Sequence, residues 1–505
     1  MSKQYFLGID IGTYESKGAL VDEEAQIIAS HSCPHTMESP KPGYAEHDAE
    51  KTWWADFCEI SKAIIAKSGV SPRDIASVGC STIAPCCLPV DKDLNPLRKA
   101  ILYGIDVRAV EEISYLEGLY GKHQIFEKCG TPLTSQSAAA KILWIKNHEP
   151  EIYARTDKFI TGSTYLVAKL TGKFTIDHYT AATWVPIYDI EKKDWDSDLS
   201  LFCRREQLAD CKWTHEIVGE VTEKASRETG LAAGTPVTTG TADASAEAFS
   251  VGVLDPGDMM LMFGSSIFMI HVVDHFTKDE RLWAGPYLFP NTYAIAAGMS
   301  CAGTLTRWFR DNFARDVAAE ANASGENAYA MMAALAKDIP AGSEGLVVLP
   351  YFSGERTPIN DPLAKGLIFG LNLHHTREHV YNACLEGVGY GINQHFEIFD
   401  ERNMRTKKIM AVGGGTKNEK WIQAVANISG KTIHTAVVEM GAAYGDALLS
   451  ALGIGFYQNS EELTKKIQLK RSIFPDMAVY QTYAPYREQY YLLYQATKDI
   501  MHRYS

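Results

Sequence analysis

One order of secondary elements is written twice along this chain. Tyr5–Asp10 is an apolar run of strand type that Gly12-Thr13 breaks, and Lys17–Val21 and Ile27–Cys33 read as the next two strands. Asp22-Glu23-Glu24-Ala25 between them has the composition of a polar hairpin turn. Lys51–Lys67 follows with Trp53, Trp54, Phe57, Ile60 and Ile64 at helical spacing, so a helix is expected whose indoles serve core packing. Ile75–Ser81 reads as the next strand. A related order returns after residue 255, with strand Met259–Phe263, turn Gly264-Ser265-Ser266, strands Ile267–Val273 and Tyr293–Ala297, and helix Cys301–Phe313. Beyond it come strand Gly345–Pro350, the long helix Arg377–Phe399, strand Lys408–Val412 and helix Asn418–Ser429. Two copies of one strand–turn–strand–strand–helix–strand order predict two similar α/β domains with a ligand cleft between them.

The length agrees, because 505 residues exceed what one core of about 250–300 residues holds. Leu254-Asp255-Pro256-Gly257-Asp258 carries turn chemistry, which puts the boundary near 248–256 and gives domains of 1–250 and 251–505. With no low-complexity linker, the domains are expected to pack closely about a hinge.

Hydrophobic residues at 46% and charged residues at 22% are those of a soluble globular protein, and no apolar run approaches the roughly 20 residues of a membrane span. The first residues run straight into a strand pattern with no signal-peptide design. The ten cysteines are scattered, Cys86 and Cys87 being adjacent, so free thiols in a reducing compartment and a cytoplasmic protein are expected. A net charge of −13 argues against nucleic-acid binding, which needs a basic face, but not against an anion held by local N–H groups and a metal ion.

Four segments carry candidate chemistry. Asp10-Ile-Gly12-Thr13 ends the first strand: glycine admits a close phosphate, Thr13 offers a hydroxyl, and Asp10 could hold Mg2+. An ordinary hairpin with a capping Asp is the plainer local reading. Gly264-Ser265-Ser266 occupies the matching turn of the second copy, where it could clamp phosphates from the other side. Gly413-Gly414-Gly415, followed by Asn418, offers a flat backbone for an adenosine. Neither a G-x-G-x-x-G fingerprint nor a Walker A motif is present. Asp243 stands between a strand-like segment, Pro236–Thr239, and an Ala-rich helix, where it could act as a base or merely cap the helix.

Together these segments resemble the FGGY family of carbohydrate kinases, and within it most closely the xylulose kinases. The resemblance runs from Gly8-Ile-Asp10-Ile-Gly12-Thr13 through Glu46-His-Asp48 with Trp53-Trp54. Lys141-Ile-Leu-Trp144-Ile-Lys-Asn147-His148 is similar to the first family signature, with departures at Gln136 and Ala138. Pro350-Tyr-Phe-Ser-Gly354-Glu-Arg356-Thr-Pro358 is similar to a xylulose-kinase segment, and Gly366, Gly370, His379, Ala383 and Glu386 fit the second signature. Gly441-Ala-Ala-Tyr-Gly445 and Gly413–Gly415 look like adenosine-binding parts.

The resemblance implies two ribonuclease H-like domains of the actin and Hsp70 type, with ATP and sugar in the cleft. It implies Asp243 as catalytic base, and Asp10 with Asp243 at Mg2+. It implies Gly12, Thr13, Gly264, Ser265 and Ser266 near the phosphates, and Gly414, Gly415 and Asn418 at adenosine. Asp106 and Arg108 match an element near the sugar. Two departures bear on the substrate: Ile83-Ala84-Pro85-Cys86 stands where bacterial xylulose kinases carry Gln-Met-His-Gly, and Ala244 follows Asp243 where Asn or Gln is usual. Ala84 and Pro85 thus sit at positions expected to touch substrate, without polar groups to pair a hydroxyl. The expected reaction is phosphorylation of a terminal hydroxyl of a ketopentose such as D-xylulose. Ribulose, a pentitol or other polyol, and gluconate are the alternatives, and a non-catalytic actin-like switch is a distant third. The expected partner is a small sugar or polyol, with no nucleic acid and no membrane; a homodimer stays open.

Overall fold

The computed structural model describes residues 3–503, which divide into two compact units. One runs to Pro256 and takes in Val272–Ala294 and Val438–Ile467; the other holds Gly257–His271, Ile295–Val437 and the chain from Gln468. The two units interleave along the chain, because a late helix packs on the first sheet.

In the first unit the strands lie in the order Ile217–Glu220, Pro236–Thr238, Ile75–Thr82, Tyr5–Ile11, Glu15–Asp22, Ile27–Pro34. Tyr5–Ile11 pairs antiparallel with Glu15–Asp22 and parallel with Ile75–Thr82. Its residues Phe6, Leu7, Ile9 and Ile11 are fully buried, as a central strand covered on both faces requires. The expected polar turn is present: Asp22 Oδ1 accepts from the N–H groups of Glu24 and Gln26, and Ala25 takes a left-handed φ of 59°. The expected helix over 51–67 is instead a wide π turn, Ala49–Trp54, running into the α-helix Ala55–Ser68. Asp48 starts it early by accepting from Glu50 and Lys51, and both indoles end up buried, Trp54 Nε1 donating to Glu228.

The helix Ala442–Gly453 lies directly on Tyr5–Ile11 and Ile75–Thr82. Its backbone comes so near that a Cβ on Gly8 would stand 2.0 Å from Ala443 O, and one on Gly79 2.2 Å from Asp446 O. The same helix crosses Asp243–Ser250 at Gly445, where a Cβ would meet Ala246 O at 2.0 Å.

The second unit repeats the pattern. Its strands run Tyr293–Met299, Ile267–Val273, Asp258–Phe263, Lys408–Val412, Ile433–Ala436, Leu469–Ile473. Asp258–Phe263 pairs antiparallel with Ile267–Val273 and parallel with Lys408–Val412, as Tyr5–Ile11 does with its neighbours. The strand expected at Gly345–Pro350 is short, Val347–Leu349, and pairs outside this sheet with Leu367–Phe369. The long helix Arg377–Glu401 covers the unit with a nearly continuous buried stretch from Tyr381 to Asn393. Among the described residues no helix is long and apolar enough to cross a membrane, and the ten cysteines are free.

Candidate functional site

Strand register brings the acidic residues of the first unit together. Asp10 is opposite Ser81 in the parallel pair, and Ser81 is opposite Thr241 on its other side. Asp10, Ser81 and Asp243 thus cluster at the carboxyl ends of adjacent parallel strands, the usual place for a ligand site in an α/β sheet. Ser81 Oγ lies 2.9 Å from Asp10 Oδ1 and 2.6 Å from Asp446 Oδ2. Burial, and then the neighbouring Asp243 charge, hold the Asp10 carboxyl well above the usual range; burial and the Asp10 charge do the same to Asp446.

Asp243 is the first residue of the helix Asp243–Ser250, and Ala242 is its cap. Among the described residues its Oδ1 accepts only the adjacent Ala244 N–H, at 2.8 Å, so it does not cap the helix. Burial and the Glu247 charge raise its carboxyl to about 7, against the Ala244 hydrogen bond. A half-buried carboxylate that titrates near neutrality suits proton abstraction. Glu247, one helical turn on, is itself pushed up by burial.

The turn after the first strand is closed by Gly12 N–H donating to Glu15 O. Its carbonyls are held from one side. His35 Nε2 donates to Gly12 O at 3.0 Å, His47 Nε2 to Thr13 O at 3.1 Å, and the His35 backbone N–H to Tyr14 O at 2.9 Å. Trp53 Nε1 donates to His47 Nδ1, which fixes His47 as the neutral Nε2–H tautomer, and burial lowers its pKa to about 4. His35 Nδ1 faces Asp56 Oδ2 at 2.8 Å, and Ser16 Oγ donates to the same oxygen. Thr13 Oγ1 is 3.0 Å from the Tyr103 hydroxyl.

Asp106 and Arg108 form a buried ion pair behind this turn. Arg108 NH2 donates to Asp106 Oδ2 at 2.7 Å and NH1 to Glu46 Oε1 at 2.8 Å, while Asp106 Oδ2 accepts Ala45 N–H. The guanidinium also lies over the Tyr44 ring. Both side chains are thus engaged within the protein, and they anchor the strand Glu46–His47. Lys141, from the first signature, is buried and donates to Leu102 O and Tyr103 O; burial lowers its pKa to about 8. Ala84 is half-buried and Pro85 buried, directly after the strand that carries Ser81.

In the second unit Gly264 O and Ser265 O accept from the start of the helix Gly303–Phe313. Gly303 N–H donates to Gly264 O, and the N–H groups of Ala302 and Thr304 with the Thr304 hydroxyl donate to Ser265 O. Gly413 has φ 88°, and a Cβ there would stand 2.6 Å from Phe263 O; one on Gly415 would meet Phe263 Cβ at 2.8 Å. Gly414 is open, with nothing within 4 Å of a Cβ. Asn418 caps the helix Glu419–Ser429, its Oδ1 accepting Trp421 N–H and its Nδ2 donating to the Tyr381 hydroxyl.

Structure thus adds Ser81, Asp446, Glu247, His35 and His47 to the candidates. Asp446 had a signal, as an acid inside the apolar run Ala442-Ala-Tyr-Gly-Asp-Ala-Leu-Leu. Gly441–Gly445, read as an adenosine element, belongs to the first unit and packs against the helix Asp243–Ser250.

Residues 5–250 match the N-terminal domain, and residues 259–454 the C-terminal domain, of the FGGY family of carbohydrate kinases. The xylulose kinase of Escherichia coli K12 is 29% identical over 503 residues, spanning 98% of this chain and all of that protein. A gluconokinase of Bacillus subtilis is 26% identical over 90% of this chain and 87% of its own. The crystal structure of xylulose kinase from Rhodospirillum rubrum superposes with a TM-score of 0.92 at 29% identity, covering 99% of this chain and 100% of that one.

Proposed function

Because this chain belongs to the FGGY family of carbohydrate kinases, we propose that it transfers the ATP γ-phosphoryl group to a terminal hydroxyl of a ketopentose, D-xylulose first. The observation that carries the reaction is Asp243, a carboxylate free of capping duty that titrates near neutrality beside Asp10. As carboxylate it accepts the proton of the attacking sugar hydroxyl, which makes that oxygen the nucleophile.

Bound ATP supplies the phosphoryl group, and Mg2+ neutralises the charge that gathers on it. A hard divalent ion takes oxygen ligands, and two half-buried carboxylates that raise the cost of each other's ionisation fit one. Asp10 and Asp243 are the proposed residues at the ion. Gly12 and Thr13 in the first unit, and Gly264, Ser265 and Ser266 in the second, are proposed to meet phosphate. Gly414 and Gly415 are proposed to meet adenosine. Asn418 acts there through its capping of the helix behind them. ATP as donor and ten free thiols favour a cytoplasmic enzyme.

The substrate rests on kinship with xylulose kinases, while Ala84 and Pro85 favour a second reading. A pocket that lacks a polar partner for one hydroxyl discriminates differently among sugars. Gluconate, ribulose or a pentitol is then the substrate, and a gluconokinase is among the relatives. An ADP-release assay over D-xylulose, D-ribulose, pentitols, glycerol, erythritol and gluconate tests both readings. Turnover of D-xylulose far above the rest supports the first, and preference for another acceptor moves the substrate. Absence of ADP release with every acceptor overturns the kinase reading.

A further inference from the structure

The turn after the first strand owes its donor array to two side chains that the reaction itself does not use. A trans peptide is planar, so its C=O and N–H point to opposite sides. His35 takes Gly12 O and His47 takes Thr13 O, at 3.0 and 3.1 Å. The N–H groups of Thr13 and Tyr14, in the same two peptide planes, are thereby turned away from the imidazoles. Among the described residues neither N–H donates a hydrogen bond. Two successive backbone donors aimed to one side are the elements of an anion nest.

The second unit reaches the same end with different parts. There Gly264 O and Ser265 O are taken by backbone N–H groups of residues 302–304 and the Thr304 hydroxyl, which turns the N–H groups of Ser265 and Ser266 the other way. Each unit pins two successive carbonyls of the turn that follows its first strand. In the first unit both of these pins are imidazoles, whereas in the second they are backbone N–H groups joined by one hydroxyl.

Both imidazoles are themselves fixed. Trp53 donates to His47 Nδ1, the two rings meet edge to face at 5.1 Å, and Asp56 holds His35. The segment that carries His47 is anchored by Asp106 on Ala45 and Arg108 on Glu46. A buried ion pair behind a buried histidine gives the carbonyl pin little freedom.

We propose that His35 and His47 are positioning residues that hold the Gly12–Tyr14 turn as a preformed phosphate receptor, Asp106 and Arg108 serving as their support. The inference rests on the kinase reading above, and it assigns the histidines no contact with substrate.

Calorimetry of the β,γ-imido analogue of ATP with Mg2+ tests it, on the whole protein and its His35→Phe and His47→Phe variants. Losing one carbonyl pin is expected to weaken nucleotide binding about tenfold, the scale of one hydrogen bond. The KM for ATP should rise with it while the KM for sugar holds. His47→Gln, which can still donate from a nitrogen near the Nε2 position, should bind within about threefold of the parent, a recovery that loss of packing alone does not produce. Hydrogen exchange on the unaltered protein gives a readout free of folding effects: the amides of Thr13 and Tyr14 should exchange fast alone and slowly with nucleotide. Folded Phe variants that bind like the parent, or Thr13 and Tyr14 amides indifferent to nucleotide, overturn the inference and leave the kinase reading intact. An unaltered protein that neither binds nucleotide nor releases ADP overturns both.

Discussion

Asp446 reaches Asp10 through a single hydroxyl, with Ser81 Oγ 2.6 Å from Asp446 Oδ2 and 2.9 Å from Asp10 Oδ1. One hydroxyl proton cannot serve two carboxylates, so a further proton on one of them satisfies the bridge at low pH. Burial favours that neutral form by raising both groups above the usual carboxylate range. A folded-state pKa raised above the unfolded one gives stability that is complete below the unfolded value and lost as pH rises through the folded value. Asp446→Asn keeps a donor for Ser81 and removes the charge. Its melting temperature should exceed the parent's by about 2–4 °C at pH 8, with the difference vanishing near pH 4. A variant less stable than the parent at pH 8 would contradict this account of the bridge.

The base role proposed for Asp243 requires its ionised form, and its carboxyl is held at about 7. The transfer rate should therefore rise with pH through that value and level off above it. Asp243→Asn should lower kcat by about 10²-fold or more while nucleotide affinity is kept, the scale of a lost general base. Steady-state rates from pH 5.5 to 8.5, with calorimetry of nucleotide binding, check both. A parent profile flat over that range removes Asp243 from the role.

Divalent cation should be felt in stability even without nucleotide. Asp10 and Asp243 raise the cost of each other's charge, and an ion that binds the ionised pair relieves it. Mg2+ at millimolar concentration should raise the melting temperature at pH 8 and have little effect at pH 5, where protons compete for the same oxygens. Asp10→Asn should abolish the response. An equal Mg2+ shift in parent and variant places the ion elsewhere.

Much of this fold could be read in the sequence because its strands are apolar runs broken by glycine, and both copies of the repeat begin that way. Tyr5–Ile11 and Asp258–Phe263 stand where the pattern put them, and the turns Gly12-Thr13 and Gly264–Ser266 follow them. What could not be read depended on contacts distant in sequence. Ser81 became a site residue only when parallel pairing set it opposite Asp10, and Asp446 only when its helix settled on Gly8 and Gly79. His35 had no local motif, and the Glu46-His-Asp48 match marked His47 without a role, since both bind the backbone of a turn more than twenty residues earlier. Signature matches, for their part, marked architecture as readily as chemistry. Glu386 is buried, accepting from Gly342 N–H, the Ser343 hydroxyl and the Tyr483 hydroxyl to hold a left-handed loop.

The closeness of the late helix to the first sheet makes the sharpest mechanical prediction. A Cβ on Gly79 would stand 2.2 Å from Asp446 O and 2.9 Å from its carbonyl carbon. These are main-chain atoms of a helix interior, so no side-chain rotation relieves the clash, and the helix must lift from the strands. Lifting it draws Asp446 from Ser81 and loosens Asp10 at the same time. Gly79→Ala is accordingly expected to destabilise the protein by about 2–3 kcal/mol, the upper range for an overpacked core, and to lower the rate of phosphoryl transfer. Gly118→Ala is the matched control: it lies exposed in the helix Val110–Tyr120 with nothing within 4 Å of its Cβ. There the added methyl should stabilise by up to about 1 kcal/mol through helix propensity and leave activity unaltered. Urea unfolding of the two variants beside the parent measures both signs. Equal stability of Gly79→Ala and the parent would mean that the helix rides further from the sheet than 2.2 Å implies, and the bridge through Ser81 would lose its structural cause.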